Sequence, residues 1–142
     1  MTLRRLALAP VLAAALTSCG SNPKALELRF WSDSYAFRVT VDPMPPRSLE
    51  PAVYRIVVQD KKTRQPIETG EGRIFATSAD RANTNDGFKK EKELGTYSGR
   101  LFFATTGEWA AAIQFRRAKD PRMPLERVDW IQTVFAGSEP GT

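Results

Sequence analysis

The chain has 142 residues, no histidine, a single cysteine and a formal net charge of +5 at pH 7. The absence of histidine excludes Ser–His–Asp triads, histidine acid–base catalysis and imidazole metal sites, and a lone cysteine excludes an internal disulfide. The length predicts one domain that is large enough to bury a hydrophobic core.

Residues 1–18 have the organisation of a secretory signal peptide. Arg4 and Arg5 precede an apolar run from Leu6 to Leu16, and small residues follow it. A membrane-spanning helix needs about twenty apolar residues, so this run is too short for a retained anchor. Removal of residues 1–18 leaves 19 basic and 16 acidic residues, a net charge of about +3, and nucleic-acid binding is not expected.

The signal segment ends in Leu16-Thr17-Ser18-Cys19, which resembles the lipobox of bacterial lipoproteins. In that family the cysteine sulfur receives a diacylglyceryl group, and the peptide is cut just before it. The resemblance implies lipidation at Cys19, with residues 19–25 as acylated cysteine and short tether. Each buried methylene contributes about 0.8 kcal/mol, so two or three palmitate-type chains would hold the protein on the extracytoplasmic side of the envelope, at the periplasmic face or cell surface. Ordinary secretion is the alternative.

Residues 26–136 are predicted to form one all-β domain. Tyr35–Val41 alternates apolar and polar residues with a period of two, as half-buried strands do, and other segments repeat the pattern. The predicted strands are residues 26–30, 35–41, 52–58, 72–77, 97–103, 109–115 and 128–135. The polar segment Asp80–Glu93 is predicted to be a loop, and residues 137–142 a flexible tail. About seven short strands favour an antiparallel immunoglobulin-like β-sandwich, with a small barrel as the alternative.

The fifth and sixth predicted strands flank Gly107 and are predicted to form a hairpin. Gly95-Thr96-Tyr97-Ser98-Gly99 followed by Gly107-Glu108-Trp109 resembles the G-x-Y-x-G…G-x-W hairpin of YtkA-like and FixH-like immunoglobulin-like domains. The resemblance implies a small envelope β-sandwich with a tyrosine corner at Tyr97. Some members of that family handle copper or assist oxidase assembly. This chain has no histidine, so the copper role is not expected to carry over.

Metal and cofactor sites are not expected elsewhere in the sequence. Met44 and Met123 lie in Pro-flanked loops, but two thioethers without a third ligand make a poor Cu(I) site. An EF-hand-like count through Asp80–Glu93 places Ala82 at the first ligand position, and the lysines there would repel a cation. This segment is therefore interpreted as a solvated loop.

Two tryptophans receive opposite predictions. Trp109 shares a strand face with Ile113 and is predicted to lie in the core. Trp31 lies opposite Leu28 and Phe30 in the strand alternation and is the best candidate for a partly exposed aromatic side chain, with a core position as the alternative.

Arg116 and Arg117 form a small basic cluster beside the last loop, where they could face lipid headgroups. Trp31, Arg116 and Arg117 are therefore the candidate surface-contact residues. No carboxylate pair has a spacing that indicates catalysis, so an enzyme is not expected.

The expected function is a membrane-anchored, non-catalytic binding or assembly module with an envelope protein as partner. A purely structural envelope component and a metal-handling accessory protein of the YtkA-like or FixH-like type are the alternatives. A binding module should present a contiguous apolar or aromatic patch around Trp31 or the Pro-rich loops, whereas a structural component need not.

Overall fold

The computed structural model describes residues 26–118 and 121–137. The predicted signal peptide, Cys19, the tether and residues 138–142 lie outside these ranges. The described residues form nine antiparallel strands in two facing sheets, so the predicted β-sandwich is confirmed. None of the described elements is a helix long and apolar enough to cross a bilayer.

The two sheets differ in size. The five-stranded sheet has the order β1-β2-β3-β7-β6, and the four-stranded sheet has the order β5-β4-β8-β9. The strands are β1 Leu28–Trp31, β2 Tyr35–Asp42, β3 Pro51–Asp60, β4 Gly70–Ser78, β5 Asn83–Gly87, β6 Lys89–Lys90, β7 Thr96–Phe102, β8 Gly107–Arg117 and β9 Glu126–Val134.

Aromatic side chains fill the space between the sheets. Phe115 on β8 packs edge-on against Tyr35, Phe37 and Tyr97 of the opposite sheet, with ring centroids 5.0–6.1 Å apart. Trp109 is 0% exposed, which confirms its predicted core position. Such edge-to-face contacts add to the free energy gained by burying the rings.

The hairpin predicted around Gly107 is wrong. Strand β7 pairs with β3 and β6 in one sheet, whereas β8 pairs with β4 and β9 in the other. The connection therefore crosses between the sheets, and Phe103 and Trp109 meet across the core with ring centroids 5.1 Å apart. A short loop with a positive-φ glycine is compatible with a hairpin within one sheet and with a connection between two sheets. The turn pattern therefore could not distinguish the two.

The loop predicted over Asp80–Glu93 is also wrong, because it contains β5 and β6. Strand β5 pairs with β4, and two of its polar side chains accept hydrogen bonds from β7 backbone amides. Thr84 Oγ1 accepts from Phe102 N at 3.0 Å, and Asp86 Oδ2 accepts from Arg100 N at 2.8 Å. Residues with low strand propensity thus form an edge strand, because pairing with β4 and hydrogen bonds from β7 amides satisfy their polar groups.

Proline ends β2 as predicted, and the loop that follows attaches to the last strand. Strand β2 stops at Asp42, directly before Pro43. Ser48 N donates to Phe135 O at 2.8 Å, and Phe135 N donates to Pro46 O at 3.0 Å. The Pro-rich loop is therefore fixed beside the end of β9.

Candidate functional site

The two sheets meet unevenly along the edge where β1 faces β9, here named the β1–β9 seam. Phe30 and Trp130 stack across the middle of this seam with ring centroids 5.1 Å apart and an interplanar angle of 27°. Towards the end of β1 that carries Trp31, Glu126 Oε1 accepts a hydrogen bond from Ser34 N at 2.7 Å. The aromatic stack divides the seam into a Trp31 end and a Leu26 end, and each has a depression.

The Trp31 end holds an open cleft of about 670 Å³ between the β1–β2 turn and the start of β9. It is lined by Trp31, Ser32, Asp33, Ser34, Lys61, Pro124, Leu125, Glu126 and Arg127. Trp31 is 54% exposed, so its side chain lies at the surface and the core alternative is wrong. Lys61 Nζ donates to Ser32 O at 3.0 Å, and Tyr35 N donates to Ser32 Oγ at 3.2 Å, so the turn beside Trp31 is held in place.

Arginines surround the other side of Trp31. A hollow of about 250 Å³ is lined by Trp31, Ala36, Phe37, Gln59 and three arginines, Arg29, Arg38 and Arg64. Arg29 and Arg38 are direct cross-strand partners. Like charges in such a pair disfavour folding, and Glu27 lies between them, at 3.1 Å from Arg29 and 3.9 Å from Arg38.

Arg38 also carries an unusual polar atom. Its Nε is buried and has no hydrogen-bond partner in the structure. An unsatisfied buried donor costs free energy. Three guanidinium groups against one carboxylate give this flank of Trp31 a positive charge.

The Leu26 end of the seam holds an apolar groove of about 230 Å³. It is lined by Leu26, Leu28, Val39, Thr40, Val41, Met44, Pro45, Tyr54, Ile131, Gln132, Thr133 and Phe135. Several of these side chains are largely exposed, namely Leu26, Met44, Ile131 and Phe135. The groove thus forms a contiguous apolar patch that includes the Pro-rich loop.

The polar side chains on the floor of the groove are engaged with the protein itself. Tyr54 Oη donates to Gln132 Oε1 at 3.1 Å, and Gln132 Nε2 donates to Thr133 O at 3.1 Å. Trp130 Nε1 approaches the same Gln132 oxygen at 3.4 Å. Burial raises the pKa of Tyr54 well above its ordinary value, so its hydroxyl stays protonated. The groove therefore presents mainly hydrocarbon to an occupant.

Sequence reasoning identified Trp31 and drew attention to the Pro-rich loops, but it missed Leu26, Ile131 and Phe135. One signal was available for Ile131. Val128, Gln132 and Val134 alternate inward on β9, which places Ile131 on the outward face.

The side chains of Arg116 and Arg117 do not form one cluster, because each pairs with a different carboxylate. Arg116 forms an ion pair with Glu71, its cross-strand partner on β4. Arg117 Nη2 lies 2.8 Å from Asp60 Oδ2 and links β8 to the end of β3 in the other sheet. Both guanidinium groups are therefore engaged in ion pairs within the protein.

The Asp60 carboxylate is strongly stabilised in its charged form. Hydrogen bonds from the Thr63 amide, the Arg117 guanidinium and the Lys62 amide lower its pKa to about 2. This arrangement caps the turn after β3.

The two methionines considered as copper ligands lie at opposite ends of the sandwich. Met44 follows the end of β2 and lines the apolar groove, whereas Met123 lies in the loop before β9, near the Trp31 end. Among residues 26–118 and 121–137, no cluster of three His, Cys, Asp or Glu side chains could hold a metal ion.

Tyr97 makes the backbone hydrogen bond that the tyrosine-corner resemblance implied, but to a distant partner. Its hydroxyl donates to Ile67 O at 2.7 Å, across to the loop between β3 and β4. Burial, with a smaller contribution from Glu68, raises the pKa of Tyr97 to about 12. This bond fixes the loop to the core and does not create a binding site.

No protein-family model matches the sequence, and no curated protein matches it either. Among solved structures, the chain is similar to a DUF4426 family protein from Pseudomonas aeruginosa PAO1, with a TM-score of 0.58 and 12% identity. The match covers 79% of this chain and 97% of the Pseudomonas protein, and at this identity it shows the fold alone. MtrC from Shewanella baltica OS185 aligns with a TM-score of 0.38 and 14% identity, over 75% of this chain and 23% of MtrC, which is too weak to support an inference.

Proposed function

We propose that the protein is a bacterial envelope lipoprotein, anchored through an acylated Cys19, whose β-sandwich is a non-catalytic binding or assembly module. The lipobox-like Leu16-Thr17-Ser18-Cys19 supports the anchor. The exposed β1–β9 seam supports the binding role, because it has the contiguous aromatic and apolar surface that a structural component does not need.

The observation that carries the proposal is the exposed Trp31 with arginines on its flank. Tryptophan and arginine are the residue types that contribute most to the energetics of protein interfaces. Arg29, Arg38 and Arg64 exceed Glu27 in charge, so the partner surface is expected to be acidic. The proposed partner is an envelope protein with an acidic patch beside an apolar pocket for Trp31.

The finer resemblance to YtkA-like and FixH-like domains belongs to this proposal only as a fold relationship. A metal-handling role is not proposed, since histidine is absent from the whole sequence and the two methionines of the mature chain lie at opposite ends of the sandwich.

Site-specific photocrosslinking in the native envelope tests the binding role. A photoreactive amino acid replaces Trp31 in one strain and Leu94 in another. Leu94 is also largely exposed but lies away from the seam. We expect a defined crosslinked adduct from position 31 only, and we expect Arg64→Glu to reduce it while Lys92→Glu does not. Equal adducts from both positions, or none from position 31, would contradict the proposal.

Mass spectrometry of the membrane-extracted protein tests the anchor. We expect a mature N-terminus at Cys19 carrying acyl chains, and release of a soluble or unprocessed form by Cys19→Ser. An unmodified thiol, or cleavage at another position, would show that the lipoprotein assignment is wrong.

A further inference from the structure

We propose that the apolar groove is the surface through which the sandwich rests on the bilayer that anchors it. Its occupant is the boundary between headgroups and acyl chains of a phospholipid membrane. This inference rests on the proposed lipid anchor and adds a second, non-covalent membrane contact together with a fixed orientation of the domain.

The chemistry of the groove favours a hydrocarbon occupant. Leu26, Ile131 and Phe135 are 60%, 61% and 51% exposed, and Met44 lies beside them. The side-chain amide of Gln132 on the floor is already hydrogen-bonded within the protein. A polar ligand would therefore find few free partners, whereas burial of the exposed apolar side chains is favourable.

The position of the groove along the chain places it next to the anchor. Leu26 lines the groove and follows Cys19 by only seven residues. A chain spans at most about 3.3–3.6 Å per residue, so Leu26 lies within about 25 Å of the acylated cysteine. The tethered end of the sandwich is thus the end that carries the groove, while Trp31 lies at the far end of β1.

The absence of basic residues from the described lining of the groove favours a hydrophobic membrane contact over an electrostatic one. Among the residues that the structure describes, no lysine or arginine lines the groove, whereas Arg29, Arg38 and Arg64 cluster on the flank of Trp31. Attraction of basic residues to anionic lipids weakens with salt. Membrane contact through the groove should therefore persist at high ionic strength, and the basic flank of Trp31 should remain free to bind a partner.

Depth-dependent fluorescence quenching of the mature lipoprotein tests this orientation. The sulfur of Cys19 is consumed by lipidation, so Ile131→Cys or Leu94→Cys supplies the one thiol for an environment-sensitive label. Each labelled protein is reconstituted into phosphatidylethanolamine–phosphatidylglycerol vesicles with and without spin-labelled lipid. We expect loss of fluorescence at position 131, no loss at position 94, and no change when the salt concentration is raised.

A charge placed on the groove provides the matched variant. Leu26→Glu in the protein labelled at position 131 should reduce quenching, because a carboxylate resists transfer to the lipid boundary, whereas Leu94→Glu should leave quenching unchanged. Both side chains are largely exposed, so neither substitution should lower the melting temperature.

The outcomes separate this inference from the proposed function. Equal quenching at both positions, or no quenching at position 131 because a second copy or another protein covers the groove, would overturn the membrane contact, while an acylated Cys19 would leave the lipoprotein proposal intact. An unmodified Cys19 thiol would overturn both.

Discussion

The two edges along which the sheets meet are closed in different ways. At the β5–β7 seam, Thr84 and Asp86 accept hydrogen bonds from β7 amides, and Gly99 lets the sheets approach closely. A Cβ atom at Gly99 would lie 2.7 Å from Ile74 Cγ2. At the β1–β9 seam, the Phe30–Trp130 stack closes the middle, the hydrogen bond from Ser34 N to Glu126 Oε1 lies towards the Trp31 end, and a depression remains at each end.

This difference is the reason for locating the proposed partner contact at the β1–β9 seam. At the β5–β7 seam, the amides of Arg100 and Phe102 are already hydrogen-bonded, and Gly99 packs closely on Ile74. Strand β1 has only four residues, so the five-stranded sheet presents a short edge beside β9. The exposed residues of this seam are therefore expected to serve contacts outside the domain, and the buried residues to serve stability.

The largest expected effect on stability is the difference between substitutions of the two tryptophans, Trp109 and Trp31. Trp109→Ala should lower the free energy of unfolding by about 3–5 kcal/mol, because it deletes a fully buried ring that packs on Phe103. Trp31→Ala should change it by less than about 0.5 kcal/mol, since that side chain is largely exposed. Urea melts of both variants provide the measurement, and the reverse order would make Trp31 structural.

A smaller effect concerns the floor of the apolar groove. Gln132→Leu should cost about 1–3 kcal/mol, because it leaves the buried Tyr54 hydroxyl without its acceptor. Adding Tyr54→Phe should recover much of this loss, since both polar partners are then gone. Chemical denaturation of the two single variants and the double variant measures the coupling. If the double variant is as unstable as the sum of the singles, the hydrogen bond does not support the floor.

On β7, on the other side of the sandwich, Tyr97→Phe should lower the free energy of unfolding by about 0.5–1.5 kcal/mol through loss of the hydrogen bond to Ile67 O. The pKa of Tyr97 is raised from 10.0 to about 12 in the folded state, so its contribution is complete below pH 10 and is lost as the pH rises towards 12. Alkaline denaturation of both proteins checks this. A stability difference that stays constant from pH 9 to about 12 would contradict it.

The smallest effect is expected at the partly exposed Asp60–Arg117 pair. The folded state lowers the pKa of Asp60 from 3.8 to about 2, so the carboxylate contributes stability above pH 3.8 that is lost as the pH falls towards 2. The stability gap between the natural protein and Asp60→Asn should therefore narrow over that range. Melting curves at stepped pH values measure the gap, with Asp33→Asn as the exposed control; a gap independent of pH would show that the pair is fully screened.

Several features could be predicted from local patterns alone. The alternation in Tyr35–Val41 and its equivalents predicted strands because successive side chains in a strand point to opposite faces. The same rule placed Trp31 outside and Trp109 inside. The β5 strand could not be predicted, because Asn83–Gly87 has loop composition and becomes a strand only beside β4.

The sequence by itself determined the all-β class and the inward position of Trp109, and its lipobox-like segment is the basis of the proposed anchor at Cys19. Tertiary structure decided that β7 and β8 lie in different sheets, that Arg116 and Arg117 have separate partners, and that Leu26 and Ile131 line one groove. The physical reason is that alternation sets which face of a strand is buried, whereas the choice of neighbouring strand depends on contacts between residues far apart in the chain.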